Sequence, residues 1–383
     1  MQLCLYAHPF DLRALAEHGG LARVRDLGFA EIALATSYHD GRWLMPWNPE
    51  GAVRFLEDGT THFRPRGDYG RLVPEPSGEV PPTGPSPLER LCADAARHGL
   101  AVRAWTVFTH NSRLGERHPD LCVQNAFGDR YVYALCPAQP AVRQYTLAMV
   151  KDLAAHHGLR TIELEALGQM GWKHSSHHDK ASFAPSGLLD AALSACFCTA
   201  CTAQLGALGH DAEGLRAAVR TFVQQNVRDA DAMAPAKLPT ADPGWLAPML
   251  AARARTIAAL AAQVVAATPN VARAVQVHPN PTFTGSQLAL ASAAAFPATD
   301  ERVLTCYGEG PEAIGKLLAA DGMAGLARQR VCLWPKAPQF ASDADLEALR
   351  ALCGKHGVAS LAIYHLGLLP WRTIERAAKI LAR

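Results

Sequence analysis

Short apolar runs alternate along the chain with stretches of helical periodicity. Residues 3–7, 31–35, 101–108, 161–166, 272–277, 302–307, 331–334 and 360–364 read as strands. Amphipathic patterns at 12–27, 88–98, 141–158 and 371–382 read as helices. Eight strands, each followed by helical material, predict an α/β fold, a single (β/α)8 TIM barrel spanning 1–383. Three departures are longer than an ordinary loop. A polar excursion rich in Pro, Gly and aromatics covers 37–87 after strand two, and a second covers 110–137 after strand three. After strand four, an irregular stretch at 168–185 leads into a helical insertion at 187–268. All three leave the C-terminal end of a strand, where such barrels build their sites. An open doubly wound sheet is the alternative. No Gly-rich phosphate fingerprint follows the first strand to support it, and no internal repeat is visible.

Strand four reads Thr161-Ile162-Glu163-Leu164-Glu165-Ala166. Alternation sends Ile162, Leu164 and Ala166 toward the helices and both glutamates into the barrel, Glu165 nearer the mouth. Paired carboxyls in a low-dielectric interior raise one pKa, which is what a general acid needs near neutral pH. The alternative is that an Arg or Lys across the lumen neutralises them.

The other strand ends carry polar and aromatic groups: His8-Pro9-Phe10-Asp11, then Ser37-Tyr38-His39-Asp40 with Arg42, then Thr109-His110-Asn111 with Arg113. His278-Pro279-Asn280, Tyr307-Gly308-Glu309, Trp334-Pro335-Lys336 and Tyr364-His365 follow. Aromatic faces beside hydroxyl-binding groups suit a sugar, and Trp43, Trp47, Trp105 and Trp172 add stacking surface. A His-rich run, Trp172-Lys173-His174-Ser175-Ser176-His177-His178-Asp179, follows the glutamates. It suits either a metal or substrate hydroxyls, and it lacks the i,i+4 spacing of a preformed helical pair.

Composition narrows the class. The 383 residues are 49% hydrophobic and 19% charged with a net charge of +2, enough for a large core. Lys and Arg are scattered, so neither nucleic acid nor an anionic membrane surface is an expected partner. The N-terminus shows no secretory pattern, and no uninterrupted apolar run of membrane-spanning length is present. The Ala-rich stretch 245–267 contains Arg253 and Arg255. Six of the ten cysteines, Cys4, Cys92, Cys122, Cys306, Cys332 and Cys353, stand singly. They read as reduced thiols in a cytoplasmic protein.

The other four are different. Cys196-Phe197-Cys198-Thr199-Ala200-Cys201 is a CxCxxC motif, and three thiolates so close suit a tetrahedral structural zinc. Cys136, in Leu135-Cys136-Pro137, is the expected fourth ligand, with Cys122 second. No organic cofactor is expected.

A Cys-Pro step before a helix, then a strand ending in Glu, then CxCxxC, resembles the bacterial β-galactosidases that carry a cysteine zinc cluster on a (β/α)8 barrel. The resemblance covers roughly 105–204. It implies retaining hydrolysis by two glutamates, an acid/base ending strand four, matched by Glu165, and a nucleophile ending strand seven. The family's Asn-Glu pair is Leu164-Glu165 here, and strand seven offers Lys336 and no carboxylate, so the nucleophile does not carry over.

The leading expectation is a glycoside hydrolase acting on a small-molecule or oligosaccharide substrate. Glu165 is the acid, Glu163 tunes it, and Glu309 or Asp11 is nucleophile or base. Tyr38, His39, Arg42, His110, Asn111, His174, His177, His278, Trp334, Lys336, Tyr364 and His365 form the substrate set. The alternatives are a metal-dependent sugar isomerase or epimerase using a glutamate with His278, His365 and the His-rich loop, and a carbohydrate-binding pseudo-glycosidase. The long excursions leave room for a homo-oligomer interface.

Overall fold

The protein is described by a computed structural model covering residues 1–172, 174, 180–181, 185, 187–228, 243–323, 326 and 328–383. Eight parallel strands close on themselves: β1 (Gln2–Ala7), β2 (Phe29–Tyr38), β3 (Ala101–Val107), β4 (Leu159–Glu165), β5 (Ala272–His278), β6 (Glu301–Cys306), β7 (Gln329–Leu333) and β8 (Ser360–Ile363). β1 pairs with both β2 and β8, which completes the barrel. The predicted (β/α)8 fold is the observed one.

The alternation of residue types explains the two layers. Leu3, Leu5, Ile32, Leu34, Val102, Ile162, Leu164, Val275, Val331 and Leu361 face outward into one apolar shell shared with the helices. Cys4, Tyr6, Ala33, Ala35, Trp105, Ala274, Val303 and Cys332 face inward. Ala166 is an exception. Its φ of +51° breaks the alternation, and it joins the inner cluster rather than the outer shell.

The lower half of the lumen holds an ion network. Arg103 pairs with Glu31 at 3.1 Å, with Glu163 at 3.1 Å and with Glu301, and Arg330 pairs with Glu31 at 2.7 Å and Glu301 at 3.1 Å. Two guanidiniums thus face three carboxylates in a region sealed from water. Removing one partner leaves charge uncompensated, so Arg103→Met should lower stability by about 3–5 kcal/mol, read from the urea midpoint.

Two elements differ from the sequence expectation. The helix expected at 12–27 is two short helices, Pro9–Leu15 and Gly20–Asp26. Gly19, which caps the second helix, and Gly20, its first residue, have φ of +89° and +62°, which L side chains resist. The excursion at 37–87 contains ordered strand. Gly41–Leu44 and Val53–Leu56 form an antiparallel hairpin, and Thr60–Thr61 pairs with the end of β2.

The stretch after β4 carries helices Leu188–Leu193, Thr199–Ala207, Ala212–Arg228 and Leu246–Ala267. They share a small core around Phe197, Leu205, Val219, Trp245 and Met249. The last helix also serves the barrel, burying Ile257, Leu260, Ala261 and Val264 in the outer shell. By length and composition alone it is apolar enough to cross a membrane, although it contains Arg253 and Arg255.

Candidate active site

Glu165 is the last residue of β4, one layer above Glu163. Its Oε2 accepts from the Trp105 indole N–H at 2.5 Å and from Gln276 Nε2 at 3.2 Å. Loss of hydration on burial, with Glu163 beneath, outweighs these donors and pushes its pKa up to about 7. Tyr38, Tyr307 and Tyr364 lie close enough to feel its charge and stay protonated. The Tyr38 and Tyr364 hydroxyls meet at 3.1 Å, and the Tyr307 and Tyr364 rings pack at 4.2 Å. Trp334 packs against Tyr364 at 5.6 Å, with the Lys336 ammonium over its ring.

Tyr38 reaches the lumen through a bulge. The β2–β3 register shifts between Ala35 and Ser37, so Tyr38 points in and the preceding Ser37 points to the outer shell beside Tyr145. Beyond Tyr38, imidazoles stack outward. His39 lies on Tyr38 at 4.2 Å, His110 on His39 at 4.4 Å, and His174 meets His110 edge-on at 4.8 Å. His174 Nε2 and His110 Nδ1 are 3.2 Å apart. Burial holds all three neutral, His174 down to about 4. They border an open groove of about 1140 Å³, also lined by Arg42, Asp58 and Tyr133. Residues from the ends of β2, β3 and β4 are thus brought together.

On the other side of Trp105 lie His8, Asp11 and His365, all fully buried. His365 Nδ1 is 3.6 Å from Asp11 Oδ2 and accepts the Gly367 N–H at 3.1 Å. Burial raises the Asp11 carboxyl to about 7 against the opposing His8 N–H donor. Gly367 is the residue that allows this approach, since a Cβ there would sit 1.9 Å from Asp11 Oδ1.

Other expected site residues are placed elsewhere or committed. Glu163 accepts from Tyr6 Oη at 2.5 Å and Gln276 Nε2 at 2.8 Å besides its Arg103 pair, so it is the neutralised member of the glutamate pair. The Asn111 side chain caps helix Ser112–Arg117 by accepting the Leu114 N–H, and donates to the Gly59 carbonyl. His278 stacks on Phe283 at 4.0 Å and accepts the Asn280 N–H. Glu309 accepts the neighbouring Gly308 N–H. His177 lies outside the described residues, as do His178 and Asp179. The sequence reading passed over Gln276 and Gln169 entirely, and His8 as a site residue. Alternation along β5 points Gln276 inward beside Glu165, which was the available signal.

Cys136, Cys196, Cys198 and Cys201 are buried with all four sulfurs within 4.8 Å of one another. Cys136 Sγ is 3.6, 3.7 and 3.8 Å from Cys201, Cys198 and Cys196. A tetrahedral ion with sulfur bonds of ~2.3 Å sets its ligands about 3.8 Å apart, so the spacing fits one metal ion. The Gln124 N–H donates to Cys196 at 3.4 Å, and Gln169 Nε2 donates to Cys201 at 3.0 Å and Cys136 at 3.5 Å. Cys122 is not in the group; its thiol faces the Gly115 carbonyl. Among the described residues no other set of His, Cys, Asp or Glu converges this way; most of the His-rich loop that the isomerase alternative draws on lies outside them.

No protein-family model and no curated protein matches the sequence. Solved structures do match in fold. A β-galactosidase from the psychrophilic Marinomonas ef1 aligns over all of this chain at TM-score 0.57 and 11% identity. This chain spans 59% of that protein's length. The glycoside hydrolase domain of PgaB (BpsB) from Bordetella bronchiseptica aligns at TM-score 0.57 and 13% identity, with 98% of that domain covered. An α-L-fucosidase from Paenibacillus thiaminolyticus aligns at TM-score 0.54 and 11% identity over 49% of its length. At these identities the likeness is one of fold: a glycoside-hydrolase-like barrel, here with a four-cysteine cluster.

Proposed function

We propose that this chain is a carbohydrate-active enzyme that cleaves a glycosidic bond, with Glu165 as general acid. The observation that carries this is a carboxyl at the barrel mouth whose pKa is about 7, gripped at one oxygen by Trp105 and Gln276 and ringed by tyrosines. An acid half-protonated near neutral pH can donate to a leaving oxygen. Neutral imidazoles, phenols and indoles around it suit hydroxyls rather than anions. Of the other candidate carboxyls, Asp11 is the one whose charge also reaches Tyr364, so it is our choice for the second carboxyl.

We assign zinc to the four cysteines, because a closed tetrathiolate with fitting spacing suits that ion. Its contribution there is to clamp the chain; this chain's own residues do the chemistry. All ten cysteines are unbridged, which supports a reducing, cytoplasmic setting.

A second reading is a sugar-binding protein without hydrolysis. It is favoured by the absence of a carboxylate at Trp334-Pro335-Lys336 and by Arg103 neutralising Glu163. A panel of 4-nitrophenyl glycosides covering common sugars and both anomers separates the two. The hydrolase reading expects release from at least one member. Binding of the free sugars with no release from any favours the second.

A further inference from the structure

Beside Glu165, next to the Asp11 carboxyl chosen above, lie two buried histidines that the proposed acid chemistry leaves unused. His8 and His365 are both sealed from solvent, and their rings are 5.2 Å apart. His8 Nε2, His365 Nε2 and Asp11 Oδ1 have no hydrogen-bond partner among the described residues. Each such atom costs about 1–3 kcal/mol. Buried polar atoms left unpartnered on three neighbouring side chains are what a site completed by another molecule would show.

The surroundings identify the missing partner. Trp43 packs edge-on to His8 at 4.5 Å and to His365 at 4.6 Å, Phe10 stacks on His8 at 5.3 Å, and Trp105 is 5.7 Å from His8. Because His365 Nδ1 accepts the Gly367 N–H, its Nε2 carries the proton and is a donor. Both imidazoles are held neutral by burial, and Arg54, the cation bordering the space, is already paired with Glu79, so no unpaired positive charge is offered to an anion. Aromatic walls with neutral groups that donate and accept match a polyhydroxylated ring.

The space beside His8 is small. A cavity of about 40 Å³ borders His8, Tyr38, Arg54 and His62. That holds a water or two and no sugar ring. Its roof is the hairpin Gly41–Leu44 and Val53–Leu56, with Trp43 and Arg54 facing down, and Arg54 lying over Phe10. The hairpin is fastened by partly exposed groups. Arg54 and Arg13 both pair with Glu79, Arg13 pairs with Glu50 at 2.7 Å, and the Trp47 indole donates to the Leu366 carbonyl at 3.0 Å. The Arg13–Glu50 pair, with side chains 45% and 40% exposed, is of the kind that holds weakly, at ~0–1 kcal/mol, while Glu79 is largely buried. The outer face of the hairpin shows Leu44, Val53 and Phe55 to solvent, at 67%, 54% and 73% exposure.

We propose that His8 and His365, backed by Asp11, form a concealed binding pocket for one ring of a neutral sugar, and that the 41–56 hairpin lifts to admit it. The ligand class rests on the carbohydrate reading above; the pocket and its cover do not depend on hydrolysis. The test uses the whole chain with histidine-¹⁵N label, titrated with D-galactose and with D-glucose. The Nε2 resonances of His8 and His365 should shift on titration. His8→Phe removes the polar edge without losing a hydrogen bond, so the melting temperature should hold while sugar affinity falls about tenfold. Glu79→Ala removes the carboxylate that ties both arginines, leaving them only Glu50, raises the open population and should tighten apparent binding several-fold.

Three results overturn the proposal: no shift with either sugar, a His8→Phe protein that melts earlier yet binds equally well, or unchanged affinity in Glu79→Ala. Sugar binding by the wild type without release from any aryl glycoside would count against the hydrolase alone. Release with unchanged KM in His8→Phe would count against the pocket alone.

Discussion

Glu165→Gln should lose about 10²–10⁴ in kcat on a glycoside with a poor leaving group, the range a positioned general acid supplies. The loss should be smaller on a nitrophenyl glycoside, whose leaving group needs little protonation. A uniform loss across leaving groups would mean that Glu165 binds rather than donates. The pH profile gives a second check. With a pKa of about 7, the wild-type acid is protonated below neutrality, so kcat/KM should fall as pH rises through 7. The glutamine variant should lack that limb. Stability moves the opposite way in the variant. The native carboxyl, raised from 4.5 to about 7, keeps a proton that the unfolded chain releases. Its contribution is therefore fully present below pH 4.5 and is lost as pH rises through 7. Glutamine has no such loss, so the variant should melt above the wild type at pH 8 and lose that advantage at pH 4, measured by thermal scans. Asp11, raised from 3.8 to about 7, adds a loss of the same sign in both proteins.

The barrel was legible because period-2 alternation is the dominant signal in its strands, and every predicted strand overlaps an observed one. The cysteine spacing was legible because CxCxxC leaves few geometric choices; Cys136 joins the trio. What failed to read was local. Strict alternation from Ala33 and Ala35 would turn Tyr38 outward, and the bulge after Ala35 that turns it inward has no Gly or Pro to announce it. Asn111 looked like a sugar ligand and is an N-cap, a role equally natural for its side chain. Glu165 was expected to be the acid and Glu163 to tune it, with an Arg or Lys across the lumen as the alternative. Only the position of Arg103 on the neighbouring strand, one layer down, separates an ion-paired carboxylate from an acid of raised pKa. His8 was read as one of the strand-end polar groups but not placed in the substrate set, and its packing depends on a hairpin more than thirty residues away.

Replacing any one of the four clustered cysteines with serine should release one metal ion per chain and lower the melting temperature by about 10 °C or more. The group joins parts of the chain that share little else. Cys136 follows an antiparallel hairpin after β3, Cys122–Gln124 with Arg130–Leu135, while Cys196 and Cys198 lie between helix Leu188–Leu193 and helix Thr199–Ala207 and Cys201 lies in the first turn of the latter. Without an ion, the four clustered sulfurs would repel once ionised, leaving packing and a few hydrogen bonds, such as Phe197 N–H to the Gln124 carbonyl and Tyr131 Oη to the Leu193 carbonyl, to hold that insertion to the barrel. The loss should also reach the site. Gln169 donates to two of the sulfurs and stands four residues beyond Glu165, in the turn that begins at the left-handed Ala166. That turn is tied on its other side, where Ala166 N–H donates to the Ser286 carbonyl and Thr109 Oγ1 donates to the Ala166 carbonyl. Gln169→Ala should therefore keep the metal but release it faster to a chromophoric chelator, and a serine variant should lose activity and metal together. Elemental analysis giving no stoichiometric metal in freshly purified protein, or a serine variant with unchanged melting, would show that these thiols are packed side chains and that the clamp does not exist.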